Sequence, residues 1–253
     1  MNKIALITGA TAGIGKATAL LLAENSFDVI VTGRRHERLI DLKNEIEKDT
    51  DSRVHLLSFD IRNNDEVISA IESLPEDWKN IYALVNNAGL ALGLESVQDG
   101  TVAKWEQMID TNIKGLLYIS KVVVGKMIKR GEGQIINIGS IAGKEVYPNG
   151  NVYCATKHAV DALTKAMRID LLPHNIKVTQ VAPGATNTEF SSVRFDGDIQ
   201  KAENVYKGFK PLVARDIAEI ILFVLLRPQH VNINDILIMP TDQASSRDLL
   251  KKE

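Results

Sequence analysis

The chain has 253 residues, enough for one large α/β domain or two small ones, and it is 45% hydrophobic and 25% charged, as ordinary globular proteins are. A formal net charge of -2 gives no reason to expect nucleic acid or an anionic membrane as a partner. The single cysteine, Cys154, excludes an internal disulfide framework and a cysteine-based zinc cluster.

The hydropathy pattern predicts neither a secretion signal nor a membrane span. The N-terminal apolar run in MNKIALITGA is too short for a signal sequence and leads directly into a glycine-rich turn. The longest apolar block, Ile217–Leu226, contains Glu219 and is followed by Arg227 and Pro228, so it is too short to cross a bilayer. The histidines lack metal-binding spacing, and we predict no catalytic metal. We therefore expect a cytoplasmic protein that acts on a small molecule.

Short β-branched apolar runs alternate with longer helix-like segments. The predicted strands are Lys3–Thr8, Asp28–Thr32, Val54–Phe59, Tyr82–Asn86, Gln134–Ile138, Lys177–Ala182 and Ile236–Met239. The predicted helices lie near Gly13–Asn25, Glu37–Lys48, Asp65–Ser73, Thr101–Lys129, Val152–Leu172 and Asp216–Leu226. This alternation indicates a parallel sheet covered on both faces, which right-handed crossovers make doubly wound. We predict one Rossmann-type α/β domain over residues 1–253, with a mostly parallel, seven-stranded sheet.

Residues 184–210 form the one long connection without a clear strand. Long connections of this kind in a compact domain are often functional loops that cover a site. Because the stretch is polar and charged, we expect a mobile lid over the substrate rather than a domain boundary.

The first predicted strand is followed by the motif TGATAGIG at residues 8–15, which opens a helix. Glycines here permit a tight turn and let the backbone approach a pyrophosphate at the helix N-terminus. A plain flexible turn is the alternative, and the GxxxGxG spacing differs from the commonest fingerprint. The position between an apolar strand and an apolar-faced helix nevertheless favours a dinucleotide site. The predicted contacts are Gly9, Thr11, Gly13, Ile14 and Gly15.

The end of the second predicted strand indicates which dinucleotide binds. An NAD site commonly has a carboxylate about 20 residues beyond the glycines, on the ribose 2′-OH. Here Thr32 and Gly33 are followed at once by Arg34 and Arg35, whose guanidinium groups can bind a 2′-phosphate. A solvated basic helix start is the alternative, but cations at a helix N-terminus oppose the macrodipole. NADP is therefore the predicted cofactor.

Tyr153 and Lys157 are four residues apart in the motif YCATK, so on a helix their side chains share a face. A free tyrosine has a pKa of roughly 10 and is a poor base at neutral pH. A nearby ammonium favours the phenolate and lowers that pKa. We therefore expect Lys157 to activate Tyr153 as an acid/base.

Together with these motifs, several others in chain order make the sequence resemble the short-chain dehydrogenase/reductase family, from Lys3 to about Met239. They are Asp60-Ile61, NNAG at 86–89, Asn112, Gly139-Ser140, YCATK at 153–157 and Pro183-Gly184. The resemblance implies that Ser140, Tyr153 and Lys157 are catalytic, with Asn112 as a fourth member.

The resemblance also assigns the rest of the cofactor site and an assembly. It implies adenine contacts at Asp60 and Ile61, cofactor contacts at Asn87, Ala88, Gly89, Tyr153 and Lys157, and nicotinamide contacts at Pro183, Gly184 and Thr188. It further implies a homo-oligomer, usually a tetramer and otherwise a dimer, with the helices predicted at Thr101–Lys129 and Val152–Leu172 in one interface.

Within the family, stretches such as VNNAGLALG, NVYCATK and TEFSSVRF are similar to the bacterial NADP-dependent 3-hydroxy acid dehydrogenases, which act on serine, L-allo-threonine and related acids. A substrate of that kind needs a cation for its carboxylate, and we expect Arg194 to supply it beside Ser140 and Tyr153. The alternative for Arg194 is a plain surface arginine. The alternative activities are a carbonyl or diketone reductase of broader specificity and a non-catalytic NADP-binding sensor.

Overall fold

The computed structural model describes residues 2–252, whose central feature is a parallel sheet of seven strands. Nine strands are described, of which seven form this sheet: β1 Lys3–Ile7, β2 Phe27–Gly33, β3 Val54–Ser58, β4 Ile81–Asn86, β5 Gly133–Ile138, β6 Ile176–Pro183, β7 Thr186–Asn187, β8 Leu212–Val213 and β9 Asp235–Ile238. The sheet order is β3-β2-β1-β4-β5-β6-β9, and the short strands β7 and β8 pair with each other outside it. The predicted doubly wound α/β fold is confirmed.

Helices cover both faces of the sheet. They are α1 Gly13–Glu24, α2 His36–Asp49, α3 Asn64–Glu72, α4 Val102–Ile109, α5 Leu116–Arg130, α6 Asn151–Asp170, α7 Phe190–Arg194, α8 Ile199–Asn204 and α9 Ala214–Leu225. None of the helices within residues 2–252 combines the length and the hydropathy that a bilayer crossing requires.

Strands β1 to β6 contribute side chains to two separate cores, one on each face of the sheet. In β1, Ala5 and Ile7 belong to the core under α1, α2 and α9, whereas Ile4 and Leu6 belong to the core under α3 and α5. This alternation is the two-residue period of a strand buried on both faces. It explains why the strands read as continuous apolar runs. Because the strands are parallel, their carboxyl ends lie along one edge of the sheet.

The structure differs from the prediction of one continuous helix over Thr101–Lys129. α4 ends at Ile109, and Asp110–Gly115 form a π-helical turn before α5 begins. The wider π turn brings Asn112 inside, where its side-chain amide accepts from the N–H and donates to the C=O of Leu90, at 2.9 and 2.8 Å. These two buried hydrogen bonds offset the irregular backbone.

The prediction that residues 184–210 lack strand structure is also wrong in part. The segment begins after β6 with the short strand β7 and continues through helices α7 and α8. Pairing of β7 with β8 holds the segment's start beside the beginning of α9. We call residues 184–210 the crossing segment, because they run across the carboxyl edge of the sheet.

Candidate active site

A cavity of about 580 Å³ opens at the carboxyl ends of the strands, between the sheet and the crossing segment. Almost all of the residues predicted to bind cofactor or substrate line it: Gly9, Thr11, Gly13, Ile14, Arg34, Arg35, Asp60, Ile61, Asn87, Ala88, Gly89, Ser140, Tyr153, Lys157, Pro183, Gly184, Thr188 and Arg194. Gly15 and Asn112 instead lie behind the cavity wall, where they support it.

The glycine turn is shaped by close packing around Gly13 and Gly15. Gly13 has φ +53, a left-handed conformation that favours glycine. A Cβ on Gly15 would lie 2.4 Å from the carbonyl oxygen of Gly9 and 2.5 Å from Nδ2 of Asn87, so only glycine fits. Asn87 fixes the turn by donating to the carbonyl oxygens of Thr8 and Gly9, at 2.9 and 3.2 Å. The resulting backbone cradle at the start of α1 fits the pyrophosphate of a dinucleotide.

The arginine pair after β2 has two different environments, whereas the sequence predicts two equivalent groups. Arg35 donates from Nε and Nη2 to the hydroxyl of Thr11 and from Nη1 to Glu189, at 3.1, 2.7 and 3.0 Å. Arg34 has an exposed side chain whose carboxylate neighbour is Asp60, at 3.9 Å. Arg34 is therefore the guanidinium available to a ligand, and Arg35 is already engaged by the protein.

Arg38 shares the carboxylate of Glu189 with Arg35, although no sequence motif indicates it. It donates to both carboxylate oxygens of Glu189, at 2.7 and 2.9 Å. Arg35, the residue before α2, and Arg38 are three positions apart, a spacing that brings side chains to one helix face and could have indicated a shared partner. Glu189 was also missed, and nothing local in the sequence links it to α2.

Asp60, at the predicted adenine end, is ion-paired within its own loop. Arg62 donates to both of its carboxylate oxygens, at 2.6 and 3.0 Å, and these hydrogen bonds hold the pKa of Asp60 below its usual range. The carboxylate is therefore a fixed acceptor at neutral pH. Ile61 follows it in the cavity wall.

Ser140, Tyr153 and Lys157 meet on the buried side of the cavity. Ser140 follows β5, and its hydroxyl accepts from the N–H of Ala142 at 3.1 Å. Tyr153 and Lys157 extend from α6, and the Lys157 ammonium donates to the carbonyl oxygen of Ile138 at 2.8 Å. The sequence prediction that these three side chains share one site is met geometrically. Asn112 supports α6 from behind through a 3.0 Å hydrogen bond to Thr156.

Burial, rather than Lys157, dominates the titration of Tyr153. Desolvation raises the pKa of the Tyr153 phenol, while the charge of Arg194 and a hydrogen bond with Ser140 act to lower it. Burial also lowers the pKa of Lys157 to about 8. Lys157 is not among the leading influences on the phenol pKa, because its ammonium donates to the carbonyl oxygen of Ile138 and lies 6.0 Å from the Tyr153 ring centre. Activation of Tyr153 by Lys157 stays a prediction.

Arg194 reaches the cavity beside Tyr153, with its guanidinium carbon 5.1 Å from the phenol ring centre. It donates from Nη2 to the hydroxyl of Tyr147 at 2.5 Å. Its Nε is buried without a hydrogen-bond partner among the described residues. Phe190 packs 5.6 Å from the Tyr153 ring and completes the wall. The alternative of a plain surface arginine does not describe this position. Tyr147 and Phe190 were missed, because a lone aromatic residue carries no spacing signal.

The described residues 2–252 bring no three His, Cys, Asp or Glu side chains into an arrangement that could hold a metal ion. The polar groups of the cavity are mostly hydroxyls, amides and cations, and its two carboxylates, Asp60 and Glu189, are ion-paired with arginines. Such a set suits an anionic ligand and a proton transfer at an oxygen atom.

Comparison with known proteins decides the family. The family model described as short chain dehydrogenase matches residues 3–198. The chain belongs to this family. It is therefore an oxidoreductase that acts on CH–OH groups.

This short-chain dehydrogenase has similar curated relatives over nearly its whole length. It is 47% identical over 242 residues to the NADP-dependent 3-hydroxy acid dehydrogenase YdfG of Salmonella typhi, covering 95% of this chain and 96% of the relative. It is 44% identical over 247 residues to sulfoacetaldehyde reductase 2 of Chromohalobacter salexigens, covering 97% of each.

Solved structures of the family show the same architecture. The closed form of serine dehydrogenase complexed with NADP+ matches with a TM-score of 0.93 and 43% identity, covering 99% of this chain and 100% of that one. Levodione reductase matches with a TM-score of 0.85 and 25% identity, covering 94% and 96%. The likeness to serine dehydrogenase extends through the crossing segment.

Proposed function

We propose that this short-chain dehydrogenase uses NADP to interconvert a small 3-hydroxy acid, of the serine, L-allo-threonine or 3-hydroxypropionate type, and its carbonyl form. The observation that carries the proposal is the guanidinium of Arg194, 5.1 Å from the ring of Tyr153. It provides a cation for the acidic group beside the phenol that serves the alcohol. The names of the relatives, which include 3-hydroxy acid dehydrogenases at 44% to 47% identity, support the same class.

The cavity residues fit NADP along its length. The glycine turn Gly9–Gly15 receives the pyrophosphate, and Arg34 receives the 2′-phosphate, since its guanidinium is not engaged by a short ion pair. Asp60 and Ile61 bound the adenine end. The nicotinamide end is formed by Asn87, Ala88, Gly89, Pro183, Gly184 and Thr188. When bound, the nicotinamide supplies or accepts the hydride.

Three side chains of the protein handle the substrate oxygen. Tyr153 gives or takes its proton, and Ser140 holds the same oxygen by a hydrogen bond. Lys157 adds positive charge to the buried wall. Its Nζ lies close to Gly89, since a Cβ placed on that glycine would be 3.7 Å away. That charge favours the phenolate during the reaction, although burial has the larger effect on the pKa of Tyr153. Asn112 acts indirectly, because its hydrogen bonds join the loop after β4 to α6.

A small sulfonated aldehyde or alcohol is a second candidate substrate. Guanidinium groups form paired hydrogen bonds with planar or tetrahedral oxyanions, so Arg194 with Tyr147 can serve a sulfonate as well as a carboxylate. The observation that favours it is the 44% identity to sulfoacetaldehyde reductase 2.

We further propose a homotetramer, for which exposed apolar side chains provide the surfaces. On the α5/α6 side, Leu117, Ile128 and Ile169 are exposed, and at the end of α9 Phe223 and the following Leu226 are exposed. Exposed apolar side chains on helices can mark contacts between subunits. Sedimentation equilibrium distinguishes one, two and four copies.

Replacing Arg194 tests the proposed substrate class. In Arg194→Ala, kcat/KM for serine, 3-hydroxypropionate and isethionate should fall about 10- to 100-fold, since a hydrogen bond to a charged group contributes about 1.5–3 kcal/mol. Activity on a neutral secondary alcohol should be retained. Lys201→Ala, an exposed cation elsewhere in the crossing segment, is the matched control and should leave all rates unchanged.

The result also decides between the alternatives. Turnover of neutral ketones but of no acid by the wild-type enzyme would favour a broad carbonyl or diketone reductase. Unchanged kcat/KM for the acids in Arg194→Ala would refute the role of Arg194. A protein that binds NADPH without oxidising or reducing any compound of the panel would be a sensor.

A further inference from the structure

Helix α7 crosses the cavity and is fastened at both of its ends. At its start, Glu189 accepts hydrogen bonds from Arg35 and Arg38, at 3.0 and 2.7 Å. At its end, the carbonyl oxygen of Arg194 accepts from the N–H of Gly93 at 2.9 Å. α7 thus connects α2, on the cofactor side of the cavity, to the loop that follows β4.

The side chains of α7 form the cavity wall opposite Tyr153. Phe190 lies 5.6 Å from the Tyr153 ring, and the guanidinium of Arg194, one helical turn later, lies 5.1 Å from it. Because α7 has only five residues, its orientation depends on few contacts: its two fastenings and the 2.7 Å hydrogen bond between the hydroxyls of Ser191 and Tyr206. A change at Glu189 is therefore transmitted directly to Arg194.

We propose that Glu189 is a positioning residue, which fastens α7 to Arg35 and Arg38 and so places Arg194 for the acidic group of the substrate. This inference rests on the proposed function for the role of Arg194. The fastening itself is independent of the identity of the substrate.

The ion pairs of Glu189 with Arg35 and Arg38 suit a lid that must open in every turnover. The Glu189 and Arg38 side chains are each about half exposed, at 47% and 46%, so solvent and salt screen their attraction. Two arginines on one carboxylate nevertheless give the contact a defined geometry. Arg35 also donates to Thr11, so the same guanidinium joins α7 to the glycine turn. Lids of this kind close over bound reactants and release them again.

Arg38 permits a clean test, because it does not line the cavity and the cofactor cradle is left intact when it is changed. The variants are Glu189→Gln, Arg38→Gln and the double variant. Glu203→Gln is the matched control, since Glu203 is an exposed carboxylate of the same segment with no ion pair in the part of the chain that the structure describes.

The first measurement is hydrogen exchange of peptides covering residues 186–196 in the purified protein without added ligand. Each single variant should exchange about two- to fivefold faster there, the range expected for an exposed ion pair. The double variant should match Glu189→Gln, which already loses the contacts to both arginines, whereas Arg38→Gln keeps the Arg35 contact and should lie between Glu189→Gln and wild type. Glu203→Gln should match wild type. Unchanged exchange in both single variants, or fully additive effects, would overturn the fastening.

The second measurement separates positioning from folding. KM for the hydroxy acid should rise about two- to fivefold in Glu189→Gln and Arg38→Gln with kcat unchanged, while KM for a neutral alcohol stays constant. Glu189→Asp should recover most of the loss. Equal KM increases for acid and neutral substrates would overturn the link to Arg194. A wild-type enzyme inactive on every acid would refute the proposed function, while the exchange result would still decide the fastening.

Discussion

The two walls of the cavity are built from different kinds of contact. On the sheet side, Ser140, Tyr153 and Lys157 are at most 9% exposed; Ser140 follows β5, and the other two stand on α6. On the opposite side, the crossing segment is held by half-exposed ion pairs from Glu189 to Arg35 and Arg38. Desolvation shifts the pKa of groups on the first wall, and solvent screens the charges of the second.

This difference divides the work of the site. Proton transfer requires side chains that keep their geometry and their altered pKa, which buried elements provide. Substrate entry and product release require contacts that break at little cost, which exposed ion pairs provide. Arg194 is the exception, since it belongs to the crossing segment but has a buried Nε, so it connects recognition to the chemical wall.

The largest expected effect concerns the buried wall. Tyr153→Phe removes the hydroxyl that exchanges a proton with the substrate, so kcat should fall about 10²- to 10⁴-fold. Binding of NADPH, measured by fluorescence titration, should stay within about twofold of wild type, since the ring remains packed on Phe190. Tyr118→Phe on α5, outside the cavity, is the matched control and should keep full activity. Retained turnover in Tyr153→Phe would remove the functional distinction between the two walls.

The next effect is a pH dependence of stability at Lys157. Its pKa in the folded protein is about 8, below the ordinary 10.5, because burial disfavours the ammonium. Between these values the unfolded chain binds a proton that the folded protein does not, so wild-type stability should rise as pH increases from about 8 to above 10.5. Lys157→Met lacks this group and should not show that rise.

Urea unfolding at fixed protein concentration measures this difference. At pH 7 both states are protonated and the folded state carries the cost of burial, on the order of 3 kcal/mol. Lys157→Met should therefore be the more stable protein at pH 7, less about 1 kcal/mol for the lost hydrogen bond to Ile138. Its advantage should disappear by pH 11. Lys121→Met, at an exposed position, should show no such trend, and a parallel trend there would contradict the burial effect.

The sequence predicts the sheet side of the site better than the crossing segment, for physical reasons. Apolar runs such as IALI at residues 4–7 determine buried strands, and strand ends determine where Ser140 lies. Tyr153 and Lys157 come together through helical spacing alone. The contact between Arg35 and Glu189 joins residues 154 positions apart, and no local pattern encodes it. Likewise, burial of the Tyr153 phenol, which raises its pKa, depends on the assembled fold and cannot be read from the spacing of Tyr153 and Lys157.

Some sequence predictions stay predictions. The cytoplasmic location, the tetramer and the absence of a catalytic metal are not tested by the geometry of one chain. The cofactor role of the arginine pair is open to a sharper test, because the structure distinguishes its two members.

The smallest expected effect distinguishes Arg34 from Arg35. Arg34 is exposed and only loosely paired with Asp60, whereas Arg35 holds Thr11 in the glycine turn. Arg34→Ala should therefore weaken 2′,5′-ADP about tenfold and leave 5′-AMP unchanged, since one charged hydrogen bond is lost. Arg35→Ala should weaken both nucleotides, because the turn loses its support. Calorimetric titration gives the four dissociation constants, with Lys48→Ala on α2 as a control for net charge. If Arg34→Ala weakened both nucleotides equally, another group would have to bind the 2′-phosphate. The exposed edge of the cavity would then not be the part that distinguishes NADP from NAD.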